Sequence, residues 1–185
     1  MIHLIHGIRT EGPVSIGRLA PYLPSPVAYP DYGWIEELET RIVNPVIVGA
    51  LKPYIGASDI LVCHSNGCAI AYELLRQGVP ARGAVFINPA LDDDIDRPND
   101  VIQWIDVYSN KGDYATEAAR IGAAIGLVDP EWGEMGHSGY TGTDPVFHNI
   151  YCDQMPNLPK VSGHGDIFLT ENLSAWGPYI ASRIR

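Results

Sequence analysis

The chain is predicted to fold as a single α/β domain, with a mostly parallel, twisted sheet of about six strands and helices on both of its faces. The first observation is that short apolar runs alternate with segments of helical periodicity, an order typical of βαβ units. The second is composition: 46% hydrophobic and 18% charged residues are ordinary for a globular protein. A length of 185 residues is enough for one substantial core, so we expect residues 1–185 to form one domain.

The predicted elements follow one another along the chain with short connections. The predicted strands are residues 2–5, 26–29, 60–63, 84–87, 103–108 and a short last one at 159–162. The predicted helices are residues 34–51, 66–77, 114–125 and one that begins at about residue 170. In helix 34–51, the apolar face is formed by Ile35, Leu38, Ile42 and Val46, and Pro45 predicts a kink. The last helix places Leu173, Trp176, Ile180 and Ile184 at helical spacing.

One segment, residues 129–157, has no clear period. It is rich in glycine, proline and aromatic residues, and irregular segments of this length tend to be functional. We interpret it as an irregular insertion that forms a partial lid. Its aromatic residues Trp132, Tyr140 and Phe147 are candidates to line a substrate pocket, and the alternative is that they anchor the loop onto the sheet.

Charge and cysteine content limit the classes of function. A net charge of −10 without any basic cluster argues against binding to nucleic acid. No apolar run approaches the length of a membrane span. The three cysteines are expected to be reduced, and with no leader-like segment after Met1 this predicts a cytoplasmic protein.

A serine stands where the predicted strand 60–63 gives way to helix 66–77, in the sequence Cys63-His64-Ser65-Asn66-Gly67. A serine on so tight a turn projects its hydroxyl away from the backbone. The amide of Asn66 would lie at a helix N-terminus, where free N–H groups favour negative charge. This arrangement suits a nucleophile for acyl transfer, and the alternative is a serine that only caps the helix.

This pentapeptide resembles the nucleophile elbow of the α/β-hydrolase superfamily, G-x-S-x-G, with Cys63 in place of the first glycine. His64 and Gly67 complete the motif around the serine. After the first strand, His6-Gly7-Ile8 resembles the H-G-x motif of the family, and Gly163-His164-Gly165 resembles the loop of its catalytic histidine.

The resemblance covers nearly the whole chain and implies a minimal α/β-hydrolase fold without a large cap. It implies a catalytic triad of Ser65, His164 and Asp113. It also implies an oxyanion hole formed by the backbone N–H groups of Ile8 and Asn66. The family's two leading antiparallel strands are not expected here.

Some site positions have rival residues. Asp106 is the alternative acid, but it lies inside a strand, whereas Asp113 lies in the following turn, where it can also cap the next helix. His137 and His148 are alternatives to His164 as the base. His64 is expected to be a packed or hydrogen-bonded histidine at the strand end.

These observations predict a serine hydrolase that acts through an acyl-enzyme, most simply a carboxylic-ester hydrolase (carboxylesterase or lipase-like) with a small-molecule substrate whose acyl group is small or exposed. A thioesterase, an amidase or an acyltransferase would use the same triad, and a non-catalytic binding protein of this fold is the alternative from another class. Arg9 is a candidate to contact a negatively charged substrate group, or else a solvated surface residue. No cofactor and no metal site are expected, because metal-binding spacings such as H-x-x-x-H, H-E-x-x-H and C-x-x-C are missing.

Overall fold

The computed structural model describes residues 1–10, 14–24, 26–124, 126–128 and 132–184, without the side chains of residues 117, 119 and 120. The described residues form one sheet of six parallel strands, in the order β2-β1-β3-β4-β5-β6. The strands are β1 (Ile2–Ile5), β2 (Val27–Ala28), β3 (Ile60–His64), β4 (Gly83–Ile87), β5 (Trp104–Ser109) and β6 (Phe147–Tyr151). The prediction of a parallel α/β sheet is confirmed.

Helices cover both faces of the sheet. They are α1 (Thr40–Leu51), α2 (Asn66–Arg76), α3 (Tyr114–Ala124), α4 (Met135–Ser138) and α5 (Thr170–Arg183). Short 3₁₀ turns lie at Ser15–Tyr22, Glu37–Glu39, Lys52–Tyr54 and Asp166–Phe168. Residues of α1, α2 and α4 belong to the core on one face, and residues of α5 and the first 3₁₀ turn to the core on the other. Strands β1, β3, β4 and β5 are buried along their whole length, as strands between two helical layers must be.

The prediction for the first long helix is wrong in its start and in its buried face. The α-helix begins at Thr40, and it continues through Pro45 without a break. Of the four residues predicted to face the core, Ile35 is buried ahead of the helix, whereas Leu38, Ile42 and Val46 are 67%, 76% and 68% exposed. The buried face instead carries Thr40, Asn44, Ile47 and Val48. The stretch is apolar at most positions, so its hydrophobic period did not define a single face.

The prediction for the last strand is also wrong. Residues 159–162 form no strand, and the sheet ends at β6, inside the segment predicted to be irregular. β6 pairs in parallel with β5, with His148 opposite Asp106. Only Phe147 and Ile150 of β6 are buried, so this edge strand lacks the apolar run that marks the central strands. The interpretation of residues 129–157 as an irregular lid is therefore corrected for 135–138 and 147–151; residues 129–131 lie outside the described part.

Candidate functional site

Ser65 occupies a sharp turn between β3 and α2. Its φ of 57° and ψ of −129° are unusual for a residue with a side chain, at a cost on the order of 1–3 kcal/mol. The turn is held by the N–H of Ser65, which donates to the carbonyl of Ile87 (3.1 Å), and by the N–H of Cys68, which donates to the carbonyl of Ser65 (2.9 Å). Gly67 is required, because a Cβ there would lie 2.3 Å from the carbonyl oxygen of Ile5. Among the described residues, the Ser65 hydroxyl has no hydrogen-bond partner, and no hydrogen bond joins it to His164.

The start of α2 is fixed by the side chain of Asn66. Asn66 and Asn44 of α1 exchange two amide hydrogen bonds of 2.9 and 3.0 Å. The indole N–H of Trp132 donates to the same Asn66 oxygen at 2.9 Å. The N–H groups of the first helical turn have no carbonyl partner within the helix, so α2 begins with donors oriented by this buried network. Sequence reasoning missed Asn44, although a polar residue within an apolar helical stretch was a signal.

His164 and Asp113 are hydrogen-bonded. The Nδ1–H of His164 donates to the Asp113 carboxylate and lies 2.9 Å from each oxygen. Asp113 is fully buried and also accepts hydrogen bonds from the side chain of Asn88 (2.8 Å) and from the N–H of Thr116 in the first turn of α3 (3.3 Å). Burial alone would raise the pKa of Asp113, but the bonds and charge of His164, with those two donors, hold that pKa below its usual value. The carboxylate therefore keeps the proton of neutral His164 on Nδ1 and leaves Nε2 as a proton acceptor.

Asp106, the rival acid, lies in a different environment. It is fully buried in β5, where it forms an ion pair with Arg183 of α5 (2.9 Å) and a contact with His148 of β6 (3.2 Å). Asp106 and His148 therefore interact with each other and with Arg183 near the edge of the sheet, and neither lines the cleft that contains Ser65. His137, the other rival base, lies in α4 with its ring 6.2 Å from that of Tyr114.

His64 contacts the loop of His164. Its Nε2–H donates to the backbone carbonyl of His164 (3.0 Å), and the two imidazole rings lie 4.8 Å apart. Burial, reinforced by the neighbouring His164, lowers the pKa of His64 to about 3. Because the partner is a carbonyl, which only accepts, neutral His64 carries its proton on Nε2. His64 is thus a hydrogen-bonded residue at the strand end that holds the His164 backbone.

The loop after β1 packs against the serine. A Cβ on Gly7 would lie 2.8 Å from Cβ of Ser65, so only glycine allows this approach. His6 is buried, stacks on Tyr32 with ring centroids 3.9 Å apart, and bonds through Nδ1 to the carbonyl of Gly7 (2.8 Å). The Tyr32 hydroxyl donates to the carbonyl of His6. These contacts fix the backbone that leads into Ile8.

Backbone strain is concentrated around these residues. Four described non-glycine residues have a positive φ, and three of them, Arg9, Ser65 and Asn88, belong to this region. Asn88 follows β4 and donates to Asp113. Residues held in sparsely populated conformations cluster at functional sites, because the surrounding structure must compensate for the strain.

A cleft of about 540 Å³ joins the parts of this site. Ser65, His64 and His164 line it together with Ile8, Arg9 and residues of α3. Arg9 forms ion pairs with Glu36 (3.3 Å) and Glu37 (2.9 Å). A second cavity of about 400 Å³, next to β1 and β2, contains none of the predicted site residues.

The predicted pocket residues divide into two groups. Arg9 and Trp132 line the cleft with Ser65. Tyr140 and Phe147 are not among its described lining residues: they stack on each other with ring centroids 4.0 Å apart and are buried in the core. Tyr140 and Phe147 therefore fit the second interpretation, in which the aromatic residues anchor this segment onto the sheet.

Two properties of the described residues concern membranes and metals. None of the helices in the described ranges is long and apolar enough to cross a membrane. Within the same ranges, no three side chains of His, Cys, Asp or Glu lie close enough together to hold a metal ion.

A parallel six-stranded sheet, with a serine at the strained turn after a central strand, is the arrangement of the α/β-hydrolase fold. A solved structure supports this assignment: a protein from Xanthomonas campestris pv. campestris, provisionally described as a hydrolase of the α/β superfamily, is similar over 98% of both chains, with a TM-score of 0.52 and 16% sequence identity. At this identity the likeness shows the fold. No protein-family model and no curated protein matches the chain.

Proposed function

We propose that the protein is a serine hydrolase, most simply a carboxylic-ester hydrolase, with Ser65 as nucleophile, His164 as general base and Asp113 as the acid that orients it. The observation that carries the proposal is the hydrogen bond between His164 and the buried, charged Asp113, together with the cleft that His164 and the strained Ser65 both line. The strained backbone of Ser65 and the buried charge of Asp113 both lower the stability of the fold. Both features are required for acyl transfer by a serine triad.

The reaction begins when Ser65 Oγ attacks the acyl carbon while its proton passes to Nε2 of His164. The negative oxygen that forms is stabilised by the N–H groups of Ile8 and Asn66. Asp113 stabilises the positive charge on His164, which then protonates the departing alkoxide. Water activated by His164 hydrolyses the acyl-enzyme and restores the free serine.

The distinction between esters, thioesters and amides concerns the leaving group, and all three would use these residues in the same roles. Cys63, which replaces the first glycine of the elbow motif, is fully buried in β3, and burial raises its thiol pKa well above the usual value. We therefore assign Cys63 a packing role, and Ser65 remains the nucleophile of the proposed enzyme.

Hydrolysis of p-nitrophenyl acetate by purified protein tests the proposal. We expect Ser65→Ala and His164→Gln each to lower kcat/KM by at least about 10³-fold, because each removes a group that changes bonding in the transition state. Ser174→Ala on the exposed surface of α5 and His148→Gln are matched controls that should keep activity within about threefold. Activity that survives Ser65→Ala would contradict the proposal, and a wild-type protein inactive on esters, thioesters and amides would favour the non-catalytic alternative.

A further inference from the structure

We propose that the cleft beside Ser65 binds the aliphatic chain of the acyl group along α3, with room for about eight carbons, and that the small residues Ala118 and Gly122 leave the space for it. This inference rests on the proposed function, because the chain is placed as the acyl part of a Ser65 ester. We call the apolar side of the cleft the acyl groove; its residues are Ala90, Ala115, Ala118, Gly122, Val128 and Trp132.

The lining of the cleft divides by polarity. The charged residue Arg9 comes from the loop after β1, and Glu37 comes from the 3₁₀ turn Glu37–Glu39 before α1. In contrast, α3 and the residues after it contribute mainly small or apolar side chains. Contact between an alkyl chain and such a wall removes apolar surface from water on both sides. The expected gain is about 0.8 kcal/mol, or about fourfold in kcat/KM, for each CH₂ group buried in the transition state.

The groove begins close to the reacting atoms. Asp113, which holds His164, is two residues before Ala115 in the chain, so α3 extends away from the site from its first turn. Ala115 and Ala118 are exposed in the structure although they line the cleft, which leaves apolar surface for a ligand to cover. Residues 115, 118 and 122 share one face of a helix, since they are three and four positions apart.

The length of the groove follows from helix geometry. Ala115 and Gly122 are seven residues apart, which corresponds to about 10 Å at 1.5 Å per residue. An extended alkyl chain advances about 1.3 Å per carbon, given C–C bonds of about 1.5 Å. The groove therefore accommodates about eight carbons. Near its far end, Val128 packs on Gly122: a Cβ on that glycine would lie 3.2 Å from Val128 Cγ2.

The charges of the cleft favour an uncharged acyl group. Arg9 is paired with Glu36 and Glu37, so its charge is already compensated. The low pKa of His64 keeps it neutral. An acyl group with a carboxylate or phosphate would be repelled by Glu37, and the described lining residues include no unpaired arginine or lysine to attract it. The net charge of −10 adds to this repulsion.

The test is the kcat/KM of p-nitrophenyl esters with acyl chains of 2 to 12 carbons. For the wild type we expect a rise of about fourfold per added CH₂ in the first part of the series, then no further gain beyond about eight carbons. In Ala118→Leu, the new side chain occupies the groove, and the ratio of kcat/KM for the eight-carbon ester to that for the acetate should fall at least tenfold. Ala124→Leu, the same substitution at an exposed position of α3 outside the lining, should keep the wild-type ratio.

The outcomes separate the two proposals. The acyl groove would be overturned if Ser65-dependent hydrolysis had the same kcat/KM for acyl chains of two to eight carbons, or if the ratio were unchanged in Ala118→Leu. Either result would leave the proposal of a serine hydrolase standing. Absence of Ser65-dependent hydrolysis for every ester in the series would overturn the proposed function, and the acyl groove with it.

Discussion

Substitution of Asp113 by asparagine tests which buried carboxylate supports His164. The two oxygens of Asp113 accept hydrogen bonds from His164, from Asn88 and from the N–H of Thr116. Asparagine has one oxygen and one NH₂ group, so at least one of these donors would face another donor. If the NH₂ group faces His164, the imidazole proton moves to Nε2, and the base can no longer accept the proton of Ser65.

The magnitude follows from the lost charge. An imidazolium and a carboxylate with charge centres about 4 Å apart interact by about 4 kcal/mol at an effective dielectric constant of about 20. At 1.36 kcal/mol per factor of ten, this corresponds to about 10³-fold in kcat, and the wrong tautomer adds to it. Asp113→Asn should therefore lower kcat by about 10³- to 10⁴-fold, measured by steady-state hydrolysis of p-nitrophenyl esters at 25 °C.

Asp106→Asn is the matched control, because it also neutralises a fully buried aspartate. It weakens the ion pair with Arg183, whose side chain is partly exposed, so we expect a loss of about 2–3 kcal/mol in the free energy of unfolding, measured in urea. The kcat of the folded variant should stay within about twofold of the wild type. If Asp106→Asn abolishes activity while Asp113→Asn keeps more than a tenth of it, the assignment of the acid is wrong.

Two further predictions concern stability at the elbow. As pH falls from 6.5 toward 3, the unfolded chain protonates His64 while the folded chain keeps it neutral until about pH 3, so stability present above pH 6.5 is lost. We therefore expect the free energy of unfolding, measured in urea between pH 6 and 4.5, to change less steeply with pH in His64→Phe than in the wild type, by about 1.4 kcal/mol per pH unit. Equal pH slopes in the two proteins would refute this prediction. Gly67→Ala should lower the free energy of unfolding, measured in urea, by at least about 2 kcal/mol, because the new Cβ would overlap the carbonyl of Ile5. Gly49→Ala, in a helix with open space, should instead be neutral or stabilising, and similar losses in both variants would contradict the packing argument.

The parts of the fold that could be predicted are those defined by local chemistry. Strand β4 is a continuous apolar run, and β1 and β3 are mostly apolar and end close to turn residues, so their burial follows largely from the sequence pattern. The turn at Ser65 was also predictable, because an apolar strand is followed at once by a helix that begins with small residues. The approach of Asp113 to His164 was expected from the resemblance to a known family, since these residues are 51 positions apart.

The parts that could not be predicted depend on tertiary contacts. In α1, apolar residues occur on both the exposed and the buried side, and the buried side includes Asn44, whose partner Asn66 lies on another helix. In β6, His148 and Asn149 interrupt the apolar pattern, and the strand forms through backbone pairing with β5. Asn88 supports Asp113 from the end of a neighbouring strand, a relation that appears only when the sheet is assembled.

Labelling with a fluorophosphonate, followed by peptide mass spectrometry, tests whether Ser65 is an activated nucleophile. We predict a covalent adduct on the peptide that contains Ser65, formed at least about 10²-fold more slowly in Asp113→Asn and not at all in Ser65→Ala. An adduct that persists in Ser65→Ala, or the absence of any adduct on the folded wild-type protein, would contradict it.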